Sequence, residues 1–132
     1  MHALVRKTLE IYIKEKRVIT QSDFPADVTP HLVTKDSVFV TLYHNGSVIA
    51  SSGRIQCKKE NTAFECIDNT LLCLKDARFL EKLQTPEFLE EIYIRTDTFV
   101  SKNRRLLKNI NELDITKEGI LFLSQNLGVM SI

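Results

Sequence analysis

Apolar residues recur at three- and four-residue spacings in two parts of the chain, and this spacing is typical of one face of an α-helix. The first part spans about residues 4–18. The second begins at a capping residue, Asn61 or Thr62, and ends near Lys75. The side chains expected on the buried faces are Val5, Leu9, Tyr12 and Ile13 in the first helix and Phe64, Ile67, Leu71 and Leu74 in the second. The pattern therefore predicts two amphipathic helices.

Alternation of apolar and polar residues predicts β-strands between and after these helices. Residues 37–43 and 47–55 alternate on either side of Asn45 and Gly46, a pair that readily adopts the positive φ angles of a tight hairpin turn. Residues 91–100 alternate again, so this strand is expected to have one solvated face. A threonine and a proline at positions 85 and 86 predict the start of a short helix before it.

The remaining segments are less regular. Residues 20–34 contain two prolines and predict a long loop with room for one short helical turn, and residues 102–115 are polar and irregular. Residues 119–123 and 129–132 predict a late pair of strands joined by a turn at Asn126 to Gly128. Hairpins with helices between them indicate an α+β fold, with a mainly antiparallel sheet flanked by helices. Because no linker divides residues 1–132, we expect a single domain.

Composition adds an expectation about location. The chain has 132 residues and a net charge of +1, so its overall charge does not indicate nucleic acid or acidic partners. Cys57, Cys66 and Cys73 are odd in number and lack CxxC spacing, which favours a reducing compartment. No run approaches the roughly 18 apolar residues that span a membrane. The start of the chain has no apolar core of signal-peptide length, so the predicted location is cytoplasmic.

No cofactor or metal is predicted. The four glycines form neither GxGxxG nor GxxxxGK[ST], which argues against a phosphate-cradling loop of the usual kind. Cys66 and Cys73 are seven residues apart and would share a helix face, but no further metal ligands stand at suitable spacing. Core packing is the favoured role of both thiols.

Asp76 and Arg78 form the first candidate site, where the second helix is expected to end. The planar guanidinium of Arg78 could hold a carboxylate or a phosphate. The alternative is a structural ion pair that fixes the helix end while Phe79 fills the core. The alternative is the more common arrangement.

Ser51, Ser52 and Gly53 form the second candidate site, on the returning strand of the hairpin. Their small side chains could let a ligand or another backbone come close. A nucleophilic serine needs a base within hydrogen-bond reach, but the histidines are scattered, and His44 is expected in the turn, facing water.

The basic cluster at residues 102–108 could contact phosphates, although the absence of interleaved aromatic residues favours a solvated loop.

With these residues identified, the chain resembles the AMMECR domain family, named after a human contiguous-gene syndrome. The matching segments are residues 39–42 with Asn45 and Gly46, residues 76–79 with 85–87 and 92–94, and Gly119 with Ile120. The second of these matches follows the family's order and spacing, and the resemblance runs from the first helix to the end of the chain. The resemblance implies an α+β fold and frequent association with Memo-type and radical-S-adenosylmethionine proteins, with no secure catalytic activity.

The chain departs from the family pattern at the hairpin. Family members usually carry Leu-Arg-Gly-Cys-Ile-Gly where residues 48–53 read Val-Ile-Ala-Ser-Ser-Gly. Ile49 therefore replaces an arginine and Ser51 a cysteine, and serine is a far poorer nucleophile unless a base activates it. Family domains also continue further, so we expect an AMMECR-like domain that is naturally short or truncated after Ile132.

Three hypotheses follow. The first is a non-catalytic or accessory module that binds a partner protein or small ligand between the hairpin and the corner at Arg78, through Ser51, Ser52, Gly53, Asp76 and Arg78. The second is a hydrolase or transferase in which Ser51 is the nucleophile, Arg78 holds an anion and Asp76 orients it. The third, disfavoured by the near-neutral charge, is a weak nucleic-acid binder that uses residues 102–108.

Overall fold

A computed structural model describes residues 1–82, 84–100, 121–124 and 128–131. Contacts divide the chain into two units, Met1–Ser101 and Lys102–Ile132. The helices and strands of the first unit are α1 His2–Glu15, β1 Ser37–His44, β2 Ser47–Ser52, α2 Thr62–Cys73, α3 Ala77–Leu80, α4 Pro86–Glu91 and β3 Tyr93–Phe99. Two short 3₁₀ segments, Gln21–Asp23 and Ala26–Leu32, interrupt the predicted loop before β1.

The first unit contains a three-stranded antiparallel sheet in the order β2–β1–β3. Asn45 and Gly46 form the predicted hairpin turn, with φ angles of 51° and 79°. Glycine adopts such an angle at little cost, and asparagine tolerates it better than most residues. Together with the helices, this sheet confirms the predicted α+β fold.

A bulge in β2 changes which of its residues face inward. Leu42 pairs with Ala50 and the next residue of β1, Tyr43, pairs with Val48, so Ile49 is an extra residue on the edge strand. Ile49 and Ala50 are consequently both buried, although simple alternation would bury only one of them. The strand ends at Ser52, three residues before the predicted end.

The core lies between the sheet and helices α1, α2 and α4. Val38, Val40 and Leu42 of the central strand and Ile94 of β3 are buried on this side. The opposite side of the sheet is partly solvated, and Tyr43 and Tyr93 stack edge to face there at 6.2 Å between ring centroids.

The buried faces of the two long helices differ from those predicted. Tyr12 is 40% exposed and Ile11 is buried in its place. In α2, Ile67 and Leu74 are buried as expected, but Phe64 and Leu71 are only half-buried. The fully covered residues of α2 include Ala63, Glu65, Cys66, Asn69, Thr70 and Cys73. Their small or hydrogen-bonded side chains let the helix approach β1 closely, which a count of apolar spacing did not detect.

In the second unit, the strands β4 Leu121–Ser124 and β5 Gly128–Ser131 pair antiparallel, in agreement with the predicted late strands. The polar segment 102–115, its basic cluster and Gly119 lie outside the described residues. Within the described ranges, none of the helices is both long and apolar enough to cross a membrane.

Candidate functional site

The structure brings three of the five predicted site residues together at the edge of the sheet. The backbone N–H of Ser51, on edge strand β2, donates to Oδ2 of Asp76 at 3.4 Å. Asp76 is the N-cap of α3, and its Oδ1 accepts from the N–H of Arg78 at 3.0 Å. The short helix α3 therefore covers part of the edge strand, and we call Ser51, Asp76 and Arg78 the edge corner.

Arg78 and Asp76 hold each other in a bidentate ion pair. Nε of Arg78 lies 3.1 Å from Oδ1 of Asp76, and its Nη2 lies 2.8 Å from Oδ2. The hydrogen bond from Arg78 lowers the pKa of Asp76, and the carboxylate in turn raises the pKa of Arg78. One edge of the guanidinium is thus already occupied, and a carboxylate with a lowered pKa is a weak base.

The Ser51 side chain is exposed and has no activating partner in the part of the chain that the structure describes: no histidine, lysine or carboxylate is hydrogen-bonded to its hydroxyl. His44 is engaged elsewhere. Its Nε2 lies 2.9 Å from Oε2 of Glu91, and its ring stacks on Phe88 at 4.9 Å between centroids. The expectation that His44 faces water at the turn is wrong, because it ends β1 and packs against α4.

Ser52 points the other way from Ser51, as successive residues of a strand do. It pairs with Val40 of the core face, and its hydroxyl donates to Oδ1 of Asn69 at 2.9 Å. Ser52 is therefore a half-buried residue of the face that meets α2 and does not belong to the edge corner.

Gly53 is held against an aromatic ring rather than against a cavity. A Cβ atom built at this position would overlap the ring of Phe39. Phe39 also stacks edge to face on Phe99, with 5.1 Å between centroids. The close approach expected at Gly53 is thus made by a side chain of the same sheet, and it accounts for the glycine without a ligand.

A buried polar cluster that the sequence patterns did not single out lies behind β2. Glu65 of α2 is 0% exposed. Its Oε2 accepts from Nη1 of Arg54 at 2.8 Å and from Nδ2 of Asn69 at 2.8 Å. Its Oε1 accepts from the N–H of Lys58 at 2.9 Å and from that of Lys59 at 3.3 Å. The carboxylate is fully hydrogen-bonded, so it anchors the 53–60 segment to α2.

Asn69 and Arg54 extend this cluster to its neighbours. Nδ2 of Asn69 also donates to the carbonyl of Val38 at 3.2 Å, and Arg54 forms a second ion pair with Asp68. Burial alone would raise the pKa of Glu65, but hydrogen bonds from Lys58, Arg54 and Asn69 outweigh it and lower the pKa. We call Ser52, Arg54, Glu65, Asp68 and Asn69 the clasp. The four-residue spacing of Glu65 and Asn69, which places both on one face of the helix, was the available signal.

The two buried cysteines have the predicted packing role. Cys66 and Cys73 are fully covered, and burial raises the pKa of each thiol to about 12. A thiol with such a pKa is almost entirely protonated at neutral pH and is a poor nucleophile. No group of three or more metal-ligating side chains occurs among the described residues.

A groove of about 500 Å³ lies beside α3, on the helical side of the first unit. Its lining consists of Tyr12, Val18, Leu71, Leu74, Lys75, Leu80 and Gln84, which we call the helical groove. Leu80, on α3, is 59% exposed, and Val18 is 50% exposed. None of the five predicted site residues lines this groove, although Arg78 lies on the same short helix as Leu80.

Comparison with known proteins leaves the family open. No protein-family model, no curated protein and no solved structure matches the chain. The resemblance to the AMMECR domain family therefore stays a prediction.

Proposed function

We propose that this chain is a non-catalytic, AMMECR-like domain that binds a partner protein through the helical groove, next to the edge corner. The observation that carries the proposal is a concave, apolar surface with large side chains exposed to solvent, Leu80 most of all. Burying one leucine side chain contributes about 1.5–3 kcal/mol, so a protein that covers this surface gains appreciable binding energy.

The edge corner argues against the enzyme alternative. Ser51 would need a base to act as a nucleophile, and the carboxylate that it contacts, Asp76, accepts from its backbone N–H and is paired with Arg78. A pKa lowered by Arg78 makes Asp76 less able to accept the serine proton at neutral pH. A binding function therefore fits the edge corner better than catalysis, because catalysis would require a base that the Ser51 hydroxyl does not contact among the described residues.

The same ion pair limits how Arg78 contributes to binding. Two of its nitrogen atoms donate to Asp76, while its side chain remains 53% exposed. Arg78 is thus placed to form a contact at the rim of a partner surface, where charges influence orientation more than affinity. The main contribution to affinity is assigned to Leu80 and its apolar neighbours.

The family resemblance suggests which partner proteins to test. Memo-type proteins and radical-S-adenosylmethionine proteins are the classes it implies, and one of each, encoded in the same genome, can be purified as prey. The chain would serve as immobilised bait in three forms: unaltered, Leu80→Asp in the groove and Leu72→Asp outside it. Leu72 is a matched control, since it is an exposed leucine, 38% accessible, that does not line the groove.

We expect the unaltered bait and Leu72→Asp to retain one of these proteins, and Leu80→Asp to retain less than about a tenth as much, as for a central interface residue. Thermal unfolding of all three forms checks that each is folded. Failure to capture either protein, or equal capture by both leucine variants, contradicts the proposal.

A further inference from the structure

We infer that the partner segment occupying the helical groove is an acidic amphipathic α-helix. This inference rests on the proposed function and adds the chemistry of the bound segment. It follows from two observations, the charge of the chain segments that form the groove and the elements from which they come.

The chain segments that supply the lining of the groove are rich in basic residues, although one of them, Lys14, lines a different pocket. The two segments that supply its lining, residues 12–18 and 71–84, contain six basic and three acidic side chains, a net charge of +3 in a chain whose total is +1. Lys75 is the charged residue of the lining itself. Complementary charge speeds encounter and fixes register at an interface, so an acidic partner is favoured over a basic one.

Ion pairs balance several of these charges, so the excess positive charge comes from the lysines. Asp76 is paired with Arg78, and Glu15 lies 3.1 Å from Arg17, which also pairs with Asp23. The ammonium groups of Lys75 and the exposed Lys16 have no such pair among the described residues. An acidic segment in the groove would therefore meet the ammonium group of Lys75, which belongs to the lining itself.

The groove is built from helices, and this favours a helical occupant. Its lining residues lie in helices α1, α2 and α3 or in the few residues that follow each of these helices. None of the lining residues lies in a strand. An extended peptide added to a sheet needs an exposed strand edge to satisfy its backbone. A helix satisfies its own backbone and presents apolar side chains at three- and four-residue spacings, which suits a groove of this kind.

Two synthetic peptides of about 15 residues, near the length at which isolated helices become stable, provide the test. Both carry leucines at i, i+3, i+4 and i+7. The remaining positions are glutamate and alanine in one peptide and lysine and alanine in the other. Fluorescence anisotropy with the full chain measures binding. We expect the glutamate peptide to bind at least about tenfold more tightly, and its affinity to fall as salt rises through about 0.1 M, where the screening length is near 10 Å.

Two variants assign the effect to the groove. Lys75→Glu should reduce the preference for the glutamate peptide several-fold, whereas Lys7→Glu, an exposed lysine of α1 outside the groove, should leave it unchanged. Leu80→Asp should remove binding of the glutamate peptide and Leu72→Asp should not. Equal affinity for both peptides, a preference for the lysine peptide, or indifference to Lys75→Glu overturns the inference.

The failure of this inference is distinguishable from that of the proposed function. If Leu80→Asp abolishes capture of a partner protein but the peptides show no charge preference, the groove binds a partner of different chemistry. If sedimentation or light scattering shows that the chain dimerises and that Leu80→Asp abolishes dimerisation, a second copy occupies the groove and both proposals are wrong.

Discussion

The edge corner and the clasp both involve strand β2, and neighbouring serines take part in them. Ser51 is exposed at the edge corner, where a half-exposed arginine pairs with a carboxylate two residues away. Ser52 joins the clasp, where Arg54 pairs with a glutamate eleven residues away that is 0% exposed. The two arginine–carboxylate pairs have similar distances, 2.8 Å each, but different surroundings.

This difference in surroundings decides what each pair contributes. Solvent screens an exposed pair, and holding its side chains costs entropy, so such pairs contribute little. A buried carboxylate has lost its water and depends on its partners, so that removing one partner is costly. The clasp is therefore expected to hold the fold together, while the edge corner can change with little effect on stability.

The largest effect is expected when the buried pair is broken. Arg54→Ala leaves the Glu65 carboxylate without its cationic partner and should lower the free energy of unfolding by about 3 kcal/mol. Arg78→Ala, the matching change at the edge corner, should lower it by less than about 1 kcal/mol. Urea denaturation followed by circular dichroism compares the two. Similar losses for both variants would show that burial does not distinguish the pairs.

A smaller loss is expected from Gly53→Ala. The added methyl group would overlap the Phe39 ring and force it to move, at a cost of about 1–3 kcal/mol. Ser51→Ala, two residues earlier and facing solvent, should be neutral to within about 0.5 kcal/mol. The same denaturation measurement applies. If Gly53→Ala is as stable as the unaltered chain, packing against Phe39 does not require the glycine, and the hypothesis that Gly53 contacts a ligand is favoured instead.

The smallest effect concerns acid stability. The pKa of Glu65 is lowered in the folded protein from an ordinary value of 4.5, so its stabilising contribution is present above that pH and disappears as the pH falls through the folded pKa. The carboxyl of Asp76 is shifted in the same direction. Glu65→Gln should therefore flatten the loss of stability between about pH 5 and pH 3.

Asp76→Asn provides the comparison, since asparagine can still cap α3 and the partner, Arg78, is half exposed. Asp76→Asn should reduce the loss of stability at acid pH less than Glu65→Gln does. Denaturation midpoints across this pH range measure both effects. A larger change from Asp76→Asn would place the more important carboxylate at the edge corner rather than in the clasp.

Much of the architecture could be predicted from local patterns. The hairpin was predictable because Asn45 and Gly46 accept positive φ angles, and β3 because its apolar residues alternate. The pattern predicts a cap at Asn61 or Thr62 and a helix start at Thr85; in the structure the side chains of Asn61 and Thr85 each accept a backbone N–H. These features depend on residues near one another in the chain, so the sequence carries them directly.

The candidate site was predictable only in part. For Asp76 and Arg78 the pattern allowed either an anion site or a structural ion pair, and the structure shows that the two side chains pair. The choice of Ser52 rather than Ser51 as the serine that meets α2, and the contact of Gly53 with Phe39, depend on which face of β2 meets α2. The bulge at Ile49 determines which residues of β2 face α2, and no local sequence pattern predicts this bulge.

The sequence by itself determined the two long helices, the start of α4, the strands, the hairpin turn and the α+β class, because each follows from spacing or from the backbone preferences of single residues. Only the tertiary structure decided that a glutamate and an asparagine of α2 are buried, that Arg54 reaches them, and that side chains of three helical segments form a groove. Those features bring together residues far apart in the chain, and whether a charge is buried or exposed depends on what packs over it.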